Sequence, residues 1–584
     1  MDTIQPTIQK SVPSTIVRRI KTLSSVNYGS KILSGLRRLQ ESGILCDLVL
    51  TAGGTALHVH KAVMAACSDY FCAMLTSDMV ECHQDSVELH GVSSEGLKAV
   101  VHFAYAGILK LTVENIEDVL SAASHLQITE AMDLCCKYLE SAITVENCID
   151  ILNLSELYTL KSTGEKAKNF ILESFENLAD NEQFDKLNSH QLGWLLQENS
   201  LKVESEYKLF EIILKWVNND PQCREEHLPQ LMGGIRLPLL TGEELVEKVS
   251  KIDVMQQNKH CTELLTAAKD YHIVVSKQPL LQTSRTQVRS DKPSLVMCHA
   301  ENLESYNLMT KKHALLRDSI VPLYNPCVCV VNNFMYACGG KYDNNDSNEI
   351  ATARCFRYDP RFDTWYELAS MNEARKDFSL VALNSGNALL AIAGQDENMV
   401  MCSMEYFSIS SNDWGMRSSL PHATYGHAAT VCTEIIYLSG GQRFDGFSDQ
   451  LFAYDSATDL WQEKTPMFTS RANHAMETVK GKIYIIGGNV EDSYFFAVPR
   501  TRIECYNPTL DQWTVCKSSL AVREAGSCVL NNRIYIAGGI NGEHYYSNIV
   551  HAYNGEDDKL EIVEKFPMRI IGKACCVLIL PQYV

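Results

Sequence analysis

No run in the 584 residues approaches the roughly 18 to 20 consecutive apolar residues of a membrane-crossing helix; the longest are short stretches such as 577–580. An excess of positive charge is missing too. The 52 Lys and Arg against 71 Asp and Glu leave a net charge of −19, which argues against a broad nucleic-acid-binding face. Neither G-x-x-x-x-G-K-[ST] nor G-x-S-x-G occurs, so neither a phosphate-cradling loop nor a nucleophile elbow is expected. C-x-x-C pairs are absent. Cys135-Cys136, Cys327-x-Cys329 and Cys575-Cys576 have the wrong spacing for the usual zinc clusters. His58 and His60, two apart on a predicted strand, lack a Cys or carboxylate neighbour to complete a ligand set, and so read as structural. The residues therefore predict no metal, no cofactor and no constellation of nucleophile, base and oxyanion donors.

Cysteine itself is abundant, at 21 residues. The first residues mix Gln5, Lys10, Arg18, Arg19 and Lys21 among apolar ones and do not read as a signal peptide, so reduced thiols in an intracellular protein are expected. The expected place is the cytoplasm, with a nuclear pool left open. A hydrophobic content of 46% with 21% charged residues is that of a globular chain, and the length calls for several domains rather than one core.

Residues 1–29 show no period and read as a tail. From Ser30, Ile32, Leu33, Leu36 and Leu39 recur on one face of a helix ending near Gly43. Cys46 to Lys61 read as a hairpin about Gly53-Gly54, followed by a helix over 62–67, opening an α+β domain over 30–142. Residues 143–277 carry helical spacing almost throughout, as in Ile149, Leu152, Leu157, Leu160 and Phe170, Ile171, Phe175, Leu178. They predict stacked helix pairs with Glu204, Glu206, Lys208 and Glu211 on exposed faces. Residues 278–293 hold two prolines and no period, and read as a linker.

Residues 294–584 contain an internal repeat. Glycine pairs follow apolar runs at Gly339-Gly340, Gly440-Gly441, Gly487-Gly488 and Gly538-Gly539, with Ala393-Gly394 as a degraded fifth. Trp365, Trp414, Trp461 and Trp513 each follow an aromatic residue by seven positions: Tyr358, Phe407, Tyr454 and Tyr506. The same offset finds Tyr306 with His313 and Tyr553 with Leu560, so there are six units. Their period near 50 is that of an all-β, six-bladed kelch-type propeller. The array begins mid-unit at 294–298 and ends on a first-strand sequence at 574–580, so the C-terminal strand is expected to complete the first blade. The fourth-to-first connections carry polar residues: Arg375 and Asp377, Thr424, Tyr425 and His427, Arg471, Asn473 and His474, Arg523 and Glu524. They read either as a solvated face or as a rim that binds a partner. Three arginines at 375, 471 and 523, with Thr424 and Gly572 at the corresponding places, favour an acidic peptide, although the domain as a whole is not basic.

Together these parts resemble the BTB-BACK-kelch (kelch-like) family, substrate receptors of cullin-3 ubiquitin ligases. The carrying residues are Cys46-Asp47-Leu48, His60-Lys61-Ala62-Val63-Met64-Ala65-Ala66-Cys67-Ser68-x-Tyr70-Phe71 and Met79-Val80-Glu81. In the helical region they are Glu146-Asn147-Cys148, Val203-x-Ser205-Glu206, Trp216-Val217 and Ile235-Arg236-Leu237-Pro238-Leu239-Leu240. The resemblance implies a BTB homodimer through the first helix, here Ile32, Leu33 and Leu36 with Asp47 and Lys61. It also implies cullin-3 held by a hydrophobic-x-Glu motif, here Met79-x-Glu81, with the adjoining BACK helices. Phe71, Met74 and Leu75 precede that motif with helical spacing, either as an apolar ridge toward cullin-3 or as BTB core. The first unit departs from the kelch pattern at His299-Ala300 and His313. The implied function is non-catalytic: the propeller captures a protein substrate on its rim (Arg375, Asp377, Tyr425, His427, Arg471, Asn473, Arg523) for ubiquitination. A dimeric actin-binding scaffold is the alternative. An oxidase on the same kind of propeller would need converging Tyr, His and Cys ligands that the sequence does not group.

Overall fold

The computed structural model describes residues 28–581 apart from 77–83, 291, 299–302, 317–322, 344–348, 384, 386, 491–500, 544, 567–568 and 571–573. It divides into two compact units, Met1–Ile171 and Leu172–Val584.

In the first unit the helix Tyr28–Glu41 precedes a hairpin of Leu48–Ala52 and Thr55–Val59, turned by Gly53 and Gly54 at positive φ. Ser86–Glu88 adds a parallel third strand to this sheet. Leu48, Leu50 and Val59 alternate inward from the hairpin and meet Met64, Phe71, Leu97, Val100, Val101 and Tyr105 in one core. His60 is buried there. Its amide donates to the Tyr105 hydroxyl at 2.8 Å and its Nδ1 shares the same hydroxyl at 2.8 Å; it stands not on the strand expected for it, which ends at Val59, but at the N-cap of the helix Lys61–Cys67.

The second unit opens with helices that bury Leu209, Phe210, Ile213, Trp216 and Val217 of Glu206–Asn219. Six four-stranded antiparallel sheets follow among the described residues. Their innermost strands touch all the way round, Cys575–Ile579 lying against both Gly526–Leu530 and Cys327–Val331. Cys575–Ile579 pairs with Pro293–Cys298 in register, so the C-terminal strand completes the first blade. The ring thereby has no open inner edge.

The constant offset of seven in the repeat has a geometric cause. Tyr358 and Trp365, Phe407 and Trp414, Tyr454 and Trp461, and Tyr506 and Trp513 are directly opposed on the third and fourth strands. Their ring centroids are 4.9 to 5.2 Å apart. The Tyr454 hydroxyl donates to Asp459 in the hairpin turn at 2.6 Å, and Asp459 in turn accepts the Ser418 amide of the preceding blade. Tyr506, Asp511 and the Thr465 amide repeat this bond set one blade later. The Trp461 and Trp513 indoles donate to the Ser418 and Thr465 carbonyls. These aromatics are therefore mortar between blades.

The segment expected to be a linker is instead an ordered strap. Gln278, Pro279, Thr286, Val288, Arg289 and Ser290 are buried. Arg289 pairs with Glu206 at 2.6 Å with both side chains nearly inaccessible, and it also donates to the Leu196, Glu198 and Gly234 carbonyls. At the other end Arg357 of the second blade donates to the Val275 carbonyl and the Gln278 side chain, and Asn332 donates to the Pro279 carbonyl. The strap shows no period because long-range polar contacts, not an apolar stripe, hold it. Glu206, expected on an exposed face, is the buried anchor of this network, whereas Glu204, Lys208 and Glu211 are exposed.

Candidate functional site

In the first unit, the helix Tyr28–Glu41 leaves Ile32 and Leu33 largely exposed, while Leu36 packs on the core. Two branched apolar side chains on one exposed helix face form a surface suited to association. Asp47 accepts the backbone amide of Lys61 at 2.7 Å, which ties the start of the hairpin to the helix Lys61–Cys67.

Phe71, Met74 and Leu75 do not form an exposed ridge. Phe71 is fully buried, Met74 is buried, and Leu75 is a partly buried neighbour of the same core. The helix Asp69–Thr76 turns its apolar face inward because burying a Phe gains about 1.5–3 kcal/mol. Met79 and Glu81 lie outside the described residues.

The sequence reading missed an apolar cleft of about 510 Å³ in this unit. Val113, Ile116, Tyr138, Leu139, Leu154 and Leu157 line it, with Glu117 and Asp150 at its polar margin. Val113 and Leu157 are strongly exposed beside it. Leu157, expected from its spacing on the packed face with Ile149 and Leu152, is instead exposed at the end of the helix Cys148–Leu157.

The propeller mouth is assembled from two kinds of connection. Among the described residues, the fourth-to-first connections entering the second to sixth blades are bridged to the second-to-third connection of the blade they enter, as in Lys376 with Gln395, Tyr425 with Gln442 and Arg471 with Val490. Four residues with left-handed backbone then link the blades in series. Gly426 donates to the Asp377 carbonyl (2.8 Å), Asn473 to that of Gly426 (2.6 Å) and Glu524 to that of Asn473 (3.0 Å).

At four of the five positions the glycine that ends the motif stitches neighbouring blades. The amides of Gly340, Gly394, Gly441 and Gly488 donate to the carbonyls of Arg375, Thr424, Arg471 and Val522. At Gly340, with φ near +88°, a Cβ would meet the Tyr324 and Asn325 carbonyl oxygens at 2.6 and 2.8 Å, so only glycine fits.

This register corrects the rim. Val522, not Arg523, stands in the place of Arg375 and Arg471, and Arg523 is one residue further on. Arg375 and Arg471 are not available to a partner. Arg375 is wholly buried, donating to Glu405 (3.0 Å), Glu373 (2.8 Å) and the carbonyls of Ala393 and Ser403. Arg471 is buried against Glu504 and the Gly487 carbonyl. Glu405 and Glu504 each stand two residues before the blade's aromatic, a pattern visible in the sequence that reveals which arginines are internally neutralised. Two of the three arginines expected to make the mouth basic are therefore neutralised internally. His427 is buried, Tyr425 is partly buried, and the Asp377 carboxylate accepts from the Gln395 side chain at 3.0 Å. Gly572 and His299-Ala300 lie outside the described residues.

Exposed apolar and acidic side chains gather elsewhere on the same end. Tyr342, Phe444, Tyr545 and Tyr546 stand on second-to-third connections and Phe468 on a fourth-to-first connection. Among the described residues there is no cluster of three or more His, Cys, Asp or Glu side chains arranged to hold a metal ion. Burial pushes the Cys298 thiol up to about 12, which keeps it protonated and unreactive.

The BTB/POZ domain family matches residues 36–143, the BTB And C-terminal Kelch family residues 148–250, and the KLHDC2/KLHL20/DRC7 Kelch-repeats domain residues 325–539, with a further Kelch motif at 521–559. Kelch-like protein 26 of Danio rerio is 34% identical over 96% of this chain and 94% of its own length. Kelch-like protein 36 of Bos taurus is 32% identical over 97% and 94%, and kelch-like protein 15 of Homo sapiens 29% identical over 95% and 97%. With three domain families in this order and relatives aligned from end to end, the chain belongs to the kelch-like family of BTB-BACK-kelch proteins.

Proposed function

We propose that this chain is the substrate-recognition adaptor of a cullin-3 RING ubiquitin ligase, acting in the cytoplasm as a non-catalytic homodimer. The observation that carries the reading is the pairing of exposed apolar surface in the first unit with a braced propeller mouth in the second. Ile32 and Leu33 supply a self-association face on the helix Tyr28–Glu41. Met79-x-Glu81 supplies the cullin contact, and the apolar cleft from Val113 to Leu157 offers a seat for a further cullin segment. The propeller holds a protein substrate at its mouth. Ubiquitin transfer is then promoted by proximity, through a raised effective concentration of substrate beside the ligase arm, without an acid, base or nucleophile from this chain.

The test is co-purification of cullin-3 with the wild-type chain and with Met79→Ala/Glu81→Ala, with folding checked by circular dichroism. Retention by wild type and loss by the folded variant supports the adaptor. A wild-type chain that holds no cullin-3 refutes it and favours the cytoskeletal scaffold.

A further inference from the structure

Every large aromatic side chain that is strongly exposed among the described propeller residues lies on a connection at one end of the ring: Tyr342, Phe444, Phe468, Tyr545 and Tyr546. Phe444 is the extreme case, 109% exposed at the tip of a short ribbon formed by Gln442–Arg443 and Gly446–Phe447. A fully solvated phenyl ring on a rigid two-stranded tip contributes nothing to the fold.

The charge around these rings is one-sided. Among the described side chains of the second-to-third connections, Asp396, Glu397, Asp445, Asp449 and Glu543 stand against Lys341 and Arg443. Two of the three arginines expected to make the mouth basic are consumed internally, Arg375 by Glu405 and Glu373, and Arg471 by Glu504. Lys376 is spent on Glu397 at 2.9 Å. One rim aromatic already shows the contact that such a surface offers: the Arg569 guanidinium lies over the Tyr545 ring, 5.8 Å from its centroid.

From this geometry we infer that the propeller mouth takes an extended protein segment in which Arg or Lys alternates with aromatic or large aliphatic anchors, the reverse of an acidic peptide. The aromatic rings receive the apolar anchors and the faces of guanidinium groups. Asp396, Asp445, Asp449 and Glu543 receive the cations. The acidic field steers the segment in, and the rings hold it. The inference rests on the substrate-receptor reading and deepens it by naming the substrate's chemistry.

The test is fluorescence anisotropy of the full chain with three short labelled peptides: one alternating Arg with Leu and Trp, a twin with Glu for each Arg, and a twin with Ser for each apolar residue. The basic apolar probe is expected to bind best, and to weaken as salt rises. Asp396→Asn/Asp445→Asn/Asp449→Asn and Phe444→Ser/Tyr545→Ser are each expected to weaken it by about tenfold. The asparagine at 396 keeps the acceptor oxygen used by the Asn398 and Met399 amides, so that loop stays formed. A matched control, Glu225→Gln/Glu226→Gln/Glu243→Gln on the helical domain, removes the same charge away from the mouth and is expected to leave affinity unchanged. Binding of the acidic twin as tight as that of the basic probe, equal loss in the control, or no binding of the basic probe overturns the inference. Cullin-3 retention is measured separately, so a basic segment held without cullin-3 would sink the ligase reading and leave this surface standing.

Discussion

Replacing Glu405 by Ala decides whether Arg375 belongs to the scaffold or to a partner. Both side chains are inaccessible, and Glu405 also accepts the amides of Asn372 and Glu373. Removing it strands a buried guanidinium with Glu373, itself 41% exposed, and two carbonyls, and leaves two amide donors without their acceptor. Breaking a buried pair from one side costs about 3–5 kcal/mol. Hydrogen exchange of the full chain, read on peptides covering Ala388–Gln395 and Val400–Ser408, is the appropriate assay because a multidomain chain has no single unfolding free energy. Exchange there should speed up by roughly two to four orders of magnitude. Arg375→Met/Glu405→Leu, which removes both charges and keeps the volume, should recover most of the loss. Glu561→Ala breaks the exposed pairs with Arg533 and Lys559 and should cost about 1 kcal/mol or less. An acceleration below about fivefold in Glu405→Ala would refute the assignment of Arg375 to the scaffold.

Other consequences can be checked alongside. Gly340→Ala should destabilise the second and third blades by more than about 1 kcal/mol, since φ is positive and the new methyl meets two carbonyl oxygens, whereas Gly415→Ala, with open space around its Cβ, should change stability little; thermal shift of the full chain reads both. Hydrogen bonds from Tyr454 and Tyr506 hold the Asp459 and Asp511 carboxyls below their usual 3.8, so their stabilisation is complete above that value and is lost as pH falls through the lower folded value. The contribution of these two carboxyls should therefore be constant from pH 7 to 5 and be lost below about pH 4, so that heat resistance falls less steeply below pH 4 in Asp459→Asn/Asp511→Asn than in the wild type. Ile32→Asp/Leu33→Asp should convert a dimer to a monomer in light scattering without lowering the melting temperature, because neither residue is in the core.

Much of this architecture is legible in the residues. The offset between Tyr454 and Trp461 is a cross-strand pair, and pairs of that kind survive translation along a repeat. The closure by Cys575–Ile579 follows from counting strands in an array that begins mid-unit. What escaped the sequence depends on contacts far apart in the chain. Arg289 finds Glu206 across 83 residues, so a stretch without period looked like a linker. Arg375 looked like a rim residue because its partner Glu405 lies thirty positions on. The ten-residue spacing from Trp365 to Arg375 and from Trp461 to Arg471 leads from Trp513 to Arg523, but that stretch is one residue shorter, so the Gly488 amide reaches the Val522 carbonyl instead. Helical spacing identified Phe71 and Met74 as one face but could not say which way that face points; their packing against Leu97 and Val100 answers it.

The most direct test of the adaptor account is the mass of the complex that the full chain forms with cullin-3, measured by size exclusion with multi-angle light scattering. The account predicts a particle holding two copies of each chain, reduced to one of each by Ile32→Asp/Leu33→Asp and to the free dimer by Met79→Ala/Glu81→Ala. A wild-type chain that elutes alone in the presence of excess cullin-3 would contradict it.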